Sequence, residues 1–264
     1  MPNLAASHDP LTSLEAAALR PRTAPELIDA AAVLTRRHYP PLLLLTALGL
    51  LASAPVYLGY ELLPEHTIAG LPRVAAEVYE TLTGCLLGGV MVAAASDAYL
   101  GRGVDIPRCL RAAVSRAWPL IVSCVLAMVA TLAGLALLVV PGLLVIVRLF
   151  AVTPAVVVEG RGALEAIRRS AALSRGIGWK ILATVGVPTA AIMAVWIALM
   201  LLFEAWTGRE ASATYLASVV TSLASPFLYV LATMTYYDAR IVREGLDLEL
   251  MTNALGREAE PRGP

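Results

Sequence analysis

The chain has 264 residues, of which 58% are hydrophobic and 15% are charged, and its 20 basic residues balance its 20 acidic ones. Its mean hydropathy is +0.74. A soluble domain is usually about 45–50% apolar, so the composition disfavours an ordinary soluble protein and indicates a membrane protein. We expect no nucleic-acid partner.

The N-terminal residues 1–22 lack the apolar core of roughly 7–15 residues that a signal peptide requires. We predict a disordered cytoplasmic tail over 1–22 and a similar tail over 256–264. The stretch between them, 23–255, is expected to form one membrane domain.

Six apolar segments approach the roughly 20 residues that a membrane-spanning helix needs. The run 120–158 is nearly continuous, and as one straight helix it would be about 60 Å long, twice the hydrocarbon thickness. The pair Pro141-Gly142 therefore predicts a tight hairpin, and Pro154, Pro188 and Pro226 predict kinks. The expected spans are 41–62, 79–99, 119–140, 142–158, 179–203 and 215–237.

Basic residues predict the orientation of these spans. With six spans, 17 of the 20 basic residues lie on one side of the membrane. The opposite loops hold Arg73 and Arg209, and Arg148 lies within the fourth span. The positive-inside rule then predicts a multi-pass protein of the cell inner membrane with both termini in the cytoplasm.

A short basic amphipathic stretch precedes each expected hairpin. Apolar residues recur at helical spacing in all three stretches, and Thr23 with Glu26 forms a candidate capping box at the first. The fold prediction is therefore an all-α polytopic membrane protein with six transmembrane helices, arranged as three hairpins each preceded by a short cytoplasmic helix. The expected apolar stripes comprise Leu27, Ala31 and Leu34; Ile106, Cys109, Leu110, Ala113, Val114 and Ala117; and Leu164, Ile167 and Ala171.

These stretches also suggest an internal repeat. Residues 101–116 and 160–175 share seven identical positions at a fixed offset of 59. One hypothesis is a pseudo-threefold repeat over 23–100, 101–160 and 161–245, whose parallel copies would share an axis along the membrane normal. Coincidence of an Ala-, Gly- and Arg-rich composition is the alternative. The amphipathic helices would either lie on the membrane surface or pack under the bundle as a collar.

Arg148 is the sharpest candidate for a polar site inside the membrane. An Arg at the bilayer centre costs roughly 2.5–3.5 kcal/mol on insertion scales, so it requires a partner or a wet cavity. Glu80 enters the membrane from the same side and is the first candidate partner. Three interpretations remain open: a structural Glu80–Arg148 pair, an Arg148 side chain that reaches out to the membrane surface and does nothing else, and a ligand or ion site.

Acids end the second span of each expected hairpin at the cytoplasmic face: Asp97, Glu159 and Asp238. Interfacial salt bridges with the nearby arginines are one interpretation. A ring that gates or binds a cation is the other. Tyr236, Tyr237, Trp118 and Trp179 suggest an aromatic belt at the same level.

No residue pattern indicates a cofactor, a metal site or an enzyme. The three cysteines and three histidines have no paired spacing, and the phosphate-binding, zinc-protease and serine-hydrolase motifs are absent. We therefore expect no catalytic residue, no metal and no cofactor.

The segment 141–178 reads PGLLVIVRLFAVTPAVVVEGRGALEAIRRSAALSRGIG, and 236–251 reads YYDARIVREGLDLELM. Together with the opening TAPELIDAAAVLTRRHYPPLL, they resemble a bacterial family of six-span proteins, the glycerophosphoryl diester phosphodiesterase membrane-domain proteins. The resemblance covers nearly the whole chain and implies the six-span architecture. The enzyme's barrel domain, fused to this domain in some members, has no counterpart here, so the resemblance implies no catalytic residues.

The sequence thus favours a non-enzymatic membrane module that scaffolds a partner or organises lipid. Its expected partners are membrane lipids, with a protein partner or a second copy of the chain as a further possibility. A small transporter or channel with a path near Arg148 is the alternative function.

Overall fold

A computed structural model describes residues 22–62 and 71–244, and all regular secondary structure in these two stretches is helical. The predicted tails lie outside the described residues, except for Arg22. The helices are α1 Ala24–Arg37, α2 Tyr39–Leu62, α3 Leu71–Tyr99, α4 Ile106–Val114, α5 Ala117–Leu137, α6 Val139–Leu149, α7 Val152–Val157, α8 Ala163–Leu173, α9 Gly178–Ile181, a π-helical segment Leu182–Gly186, α10 Val187–Thr207, α11 Glu210–Ser222 and α12 Ser225–Glu244.

Five helical stretches in the described part of the chain are long and apolar enough to cross a membrane. The helices α11 and α12 meet the same criterion only together, and they are bent by 55° where they join. The all-α class and the multi-pass character are therefore confirmed, with five or six candidate spans. The five are Tyr39–Tyr60, Pro72–Tyr99, Ala117–Leu137, Val140–Val157 and Gly178–Thr207.

The turn within the long apolar run lies at Leu138, so the predicted position at Pro141-Gly142 is wrong by three residues. Leu138 is extended, and α6 begins at the next residue. Pro141 falls in the first turn of α6, where its missing N–H leaves no helical hydrogen bond unmade. A side chain on Gly134 would come within 3.0 Å of the Gly142 Cα, so these two glycines let the arms of the hairpin approach closely.

The regular α-helix is interrupted near each of the three prolines at which kinks were predicted, and a bend of more than 40° accompanies the interruption at Pro226. Pro154 cannot donate to the carbonyl of Phe150, and α6 and α7 are separated at that point. Pro226 likewise cannot donate to Ser222, where α11 ends before the 55° bend. Pro188 lies two residues after the end of the π-helical segment, a wider turn that accommodates the missing donor.

The amphipathic helices α1, α4 and α8 pack beneath one end of the bundle, and we call them and their linkers the collar (22–38, 100–116 and 159–177). The start of α1 is capped as the sequence predicted, since the Glu26 carboxylate accepts from the Thr23 N–H at 2.8 Å. The start of α4 is capped by Asp105, which accepts from the Arg108 N–H at 3.4 Å. The side chains that they bury are Leu27, Ala31 and Thr35 in α1, Cys109 and Ala113 in α4, and Ala166, Ser170 and Leu173 in α8.

The apolar stripe predicted for the third helix is wrong. Leu164 is 61% exposed, and Ser170 is buried instead. The Ser170 hydroxyl accepts from the Ala151 N–H at 3.0 Å and donates to the Arg148 carbonyl at 2.7 Å. These are the backbone groups that lose their helical partners where α6 ends before α7, so their need for a polar partner sets the rotation of α8.

The core lies in the half of the molecule next to the collar, which we call the collar half. Every residue of α3 from 88 to 98 is buried, and so is most of α12 from 230 to 241. The opposite half, which we call the far half, is open: residues 72–75 of α3 are exposed, and α10 buries no residue. The second arm of each predicted hairpin is thus the inner one, and the first arm is peripheral.

Candidate functional site in the collar

Glu159 is the centre of an ion network where α7 meets the collar. Its carboxylate accepts from Arg161 at 2.5 Å, from Arg169 at 2.9 Å and from the Tyr236 hydroxyl at 2.7 Å. Arg240 approaches the same carboxylate at 3.8 Å. The Glu159 side chain is only 9% exposed, so four partners surround an acid that water barely reaches.

Glu244 extends this network to the end of α12. Its carboxylate accepts from Arg169, with the second guanidinium nitrogen at 2.7 Å, and from Arg240 at 3.2 Å. Arg169 therefore bridges two acids that lie on different helices. A planar guanidinium suits this role because it presents several N–H donors in fixed directions.

The network changes the acidity of its members. Burial alone would raise the pKa of the Glu159 carboxyl, but hydrogen bonds from Arg161, Tyr236 and Arg169 outweigh burial and hold that pKa below its usual value. The pKa of Arg169 is raised, chiefly because its guanidinium donates to Glu244. Both groups are therefore charged at neutral pH, and the pair is maintained there.

Asp238 forms a second buried contact on α12. Its carboxylate accepts from the Lys180 ammonium at 2.5 Å and from the Arg22 backbone N–H at 2.7 Å. The side chain is 4% exposed. These contacts connect the first residues of the described chain with two helices that lie more than 150 positions later.

Asp97 forms the third buried contact, at the end of α3. Arg108 approaches one oxygen at 3.3 Å, and the Cys109 thiol donates to the other at 3.7 Å. Burial and the adjacent Asp97 raise the pKa of the Cys109 thiol to about 12, so the thiol remains protonated and continues to donate.

All three predicted acids thus share one arrangement. Asp97 contacts the α4 region, Glu159 contacts α8 and its approach, and Asp238 contacts the start of the α1 region. Each acid meets the amphipathic helix that follows it in chain order, and the last acid meets the first helix. Because every carboxylate is engaged by protein cations or donors, the geometry favours salt bridges over a ring that binds a free cation.

Two tyrosines predicted for an aromatic belt lie in the core instead. Tyr236 is fully buried and Tyr237 is 4% exposed. The Tyr237 hydroxyl hydrogen-bonds with Ser96 at 2.6 Å, and its ring stacks on Tyr99 at 4.9 Å. The Arg240 guanidinium lies 5.8 Å from the centre of the Tyr236 ring. The reason for the error is that aromatic residues suit both environments, and the sequence does not show which neighbours cover them.

The predicted Glu80–Arg148 pair is not formed. Arg148 is exposed, and its carbonyl accepts from Ser170 of α8, which brings it to the level of the collar. Glu80 lies in the far half beside Ser53 and Tyr57 of α2. The depth estimate failed because the break between α6 and α7 moves Arg148 towards the collar end, where its side chain needs no buried counter-charge.

Several residues of this site had no signal in the sequence. Lys180 and Arg169 are two basic residues among many, and only the contacts show that they bridge buried acids. Outside this site, Cys85 and Cys124, which are 39 positions apart, lie side by side on α3 and α5. Within the described residues, no three His, Cys, Asp or Glu side chains come close enough together to hold a metal ion.

No family model, no curated protein and no solved structure matches the chain.

Proposed function

We propose that the chain is a non-enzymatic integral membrane module that crosses the cell membrane six times and organises anionic lipid at the cytoplasmic leaflet. In this arrangement α11 and α12 together form one bent span, and the three helical hairpins place the collar and both termini in the cytoplasm. The distribution of basic residues supports this orientation. Membership of the glycerophosphoryl diester phosphodiesterase membrane-domain family is part of the same proposal.

The observation that carries the lipid proposal is the outer rim of the collar. Trp118 and Trp179 are 77% and 82% exposed, and each lies where a collar helix leads into an apolar helix. Trp is enriched at membrane–water interfaces, so these two side chains support a position of the rim at the level of the lipid headgroups. Exposed arginines lie on the same rim: Arg36, Arg37, Arg111, Arg168 and Arg175.

The buried ion network gives this rim a fixed shape. Arg169, Arg240 and Lys180 face inward to acids, while the rim arginines face outward. An outward basic residue near an anionic surface contributes about 1 kcal/mol of attraction. A rigid rim loses little conformational freedom when lipid binds, so several such contacts can add.

The test compares lipids retained by the purified full chain. We expect anionic phospholipid to be enriched over zwitterionic phospholipid, relative to the membrane of origin, as measured by mass spectrometry. The double variant Arg111→Gln and Arg168→Gln should lower this enrichment about thirtyfold at low salt, because two contacts are worth roughly 2 kcal/mol together.

Arg73→Gln is the matched control, because Arg73 lies in the far half and should leave the enrichment unchanged. Equal lipid composition in the wild type and the double variant would overturn the lipid role. Reproducible co-purification of one protein, independent of lipid, would favour the scaffolding form of the module.

A small transporter or channel is the second candidate, and a cleft in the far half favours it. The cleft holds about 350 Å³ between α2 and α11, near the half-buried acid Glu80. A path near Arg148 has no comparable support, since Arg148 lies exposed at the collar end. Ion or solute flux into reconstituted vesicles, abolished by Glu80→Gln, would replace the module proposal with this one.

A further inference from the structure

Glu80 lies at the opposite end of the bundle from the collar network. Nineteen residues separate it from Tyr99 on α3, a rise of about 28 Å along the helix. That distance matches the hydrocarbon thickness of roughly 30 Å. With Tyr99 at one surface of a membrane, Glu80 therefore lies at the level of the headgroups of the other leaflet.

Two polar atoms near this level are buried without a hydrogen-bond partner in the described part of the chain. They are the Oε1 atom of Glu80 and the hydroxyl of Tyr60. Ser53 stands beside the Glu80 carboxylate, but its hydroxyl is also 3.2 Å from the Gly49 carbonyl, so a single proton serves two acceptors. A buried acceptor without a donor is destabilising, and more so when it is charged.

The chain does not supply a counter-charge for Glu80 among the described residues. The expected partner, Arg148, lies at the collar end, and no ion pair of Glu80 occurs in the described part of the chain. Its charged neighbour Glu77 has the same sign. A ligand that completes the group must therefore bring positive charge and N–H or O–H donors.

An apolar cleft adjoins this polar group. It is lined by α2 and α11, with Leu58 and Leu216 among its walls and the rings of Tyr57 and Tyr215 5.2 Å apart. Tyr57 connects the cleft with the polar group. It lines the cleft and interacts electrostatically with Glu80 and Tyr60. A ligand that fits both has a cationic head and a hydrocarbon tail.

We propose that this place binds a membrane lipid whose headgroup ends in a primary ammonium. The ammonium N–H groups donate to Glu80 Oε1 and to the Tyr60 oxygen, and one acyl chain occupies the cleft beside Tyr57. The tyrosine rings add cation–π attraction. A quaternary ammonium carries the same charge but has no N–H, so it leaves both acceptors without donors. The site therefore prefers the primary amine.

The experiment titrates the purified full chain with two lipids of identical acyl chains, phosphatidylethanolamine and phosphatidylcholine, and measures bound lipid by native mass spectrometry. Wild-type protein should prefer phosphatidylethanolamine about tenfold, the value of one charge-assisted hydrogen bond. Glu80→Gln should remove that preference. Glu77→Gln, an exposed acid on the same helix, should keep it.

Two further measurements separate the contribution of the lipid headgroup to binding from that of the acyl chain. Leu216→Trp, which fills the cleft, should weaken binding of both lipids about equally and leave their ratio unchanged. Soluble glycerophosphoethanolamine should compete weakly; full competition at equal concentration would instead assign the site to free amines. An unchanged lipid ratio in a monodisperse Glu80→Gln protein, or a wild type without preference, would overturn the proposal. The collar variants do not touch this site, so the two lipid proposals fail independently.

Discussion

The collar half and the far half of this protein solve the problem of polar groups near a membrane in opposite ways. In the collar half, each buried acid is surrounded by protein donors, as Glu159 is by Arg161, Arg169 and Tyr236. In the far half, Glu80 retains a buried oxygen with no partner, and α10 buries no residue. The difference teaches that the collar half is built for a fixed structure, and the far half leaves an acid oxygen unpaired and an apolar helix exposed.

The strongest way to break this contrast is to remove the centre of the collar network. Glu159→Gln leaves Arg161, Arg169 and Arg240 without their shared carboxylate, and we expect a loss of about 3 kcal/mol in the free energy of unfolding. Thermal unfolding of the purified protein in detergent measures it. The exposed acid Glu165 provides the matched control, because Glu165→Gln should change stability by less than about 0.5 kcal/mol. Equal effects of both variants would remove the special role of the network.

Acid should weaken the collar half through the same carboxylate. The pKa of Glu159 is lowered by its hydrogen bonds, so its contribution to stability is fully present above the unfolded value of about 4.3 and is lost as pH falls through the lowered folded pKa. The measurement is the unfolding temperature between about pH 7 and pH 3. Glu159→Gln should flatten this dependence, and an unchanged slope in that variant would assign the acid sensitivity to other groups.

The close approach within the α5–α6 hairpin sets a packing limit that the open surface of α3 lacks. A side chain at Gly142 would lie 2.9 Å from the Leu135 backbone nitrogen, so Gly142→Ala should cost about 1–3 kcal/mol. Gly84 has nothing within 4 Å of the same position, and Gly84→Ala should be neutral or slightly stabilising. Unfolding temperatures of the two variants decide this. A strongly destabilised Gly84→Ala would instead place a second copy of the chain on that face of α3.

The two hydrogen bonds of Ser170 at the break between α6 and α7 allow a test of how tightly α8 is held. Ser170→Ala removes the donor to the Arg148 carbonyl and the acceptor for the Ala151 N–H, which should cost about 1–2 kcal/mol. The neighbouring exposed residue Ala172 serves as the comparison, because Ala172→Ser adds a hydroxyl that faces solvent. Faster amide hydrogen exchange at Ala151 in Ser170→Ala is the expected signature.

The smallest effect is expected at the residue that the sequence made most prominent. Arg148 is exposed and has no ion-pair partner in the described part of the chain, so Arg148→Gln should change the free energy of unfolding by less than about 0.5 kcal/mol. A large loss, and rescue by a second change at Glu80, would restore the predicted pair.

The sequence was most informative where a property is local. Helix starts at Thr23 and Asp105 and kinks at Pro154 and Pro226 were predictable, because capping and the missing proline N–H act within one turn. The predicted position of the hairpin turn was wrong, because Pro141 also suits the first turn of a helix. The predicted rotation of α8 was wrong for a different reason: the Ser170 hydroxyl is buried because it hydrogen-bonds with backbone groups at the break between α6 and α7.

For the candidate site, too, the sequence predicted the local features and left the contacts between helices open. The sequence placed Asp97, Glu159 and Asp238 together at one end of the bundle, because each ends an apolar run, but it left open whether they form salt bridges or a cation ring.

By itself, the amino-acid sequence determined the helical class, the number of long apolar segments and the clustering of basic residues, since each depends on the composition of a short stretch. The tertiary structure decided which charges meet. Asp238 accepts from the Arg22 N–H across 216 positions, and Glu80 lies far from Arg148. Such contacts depend on where whole helices pack, and no local pattern encodes that placement.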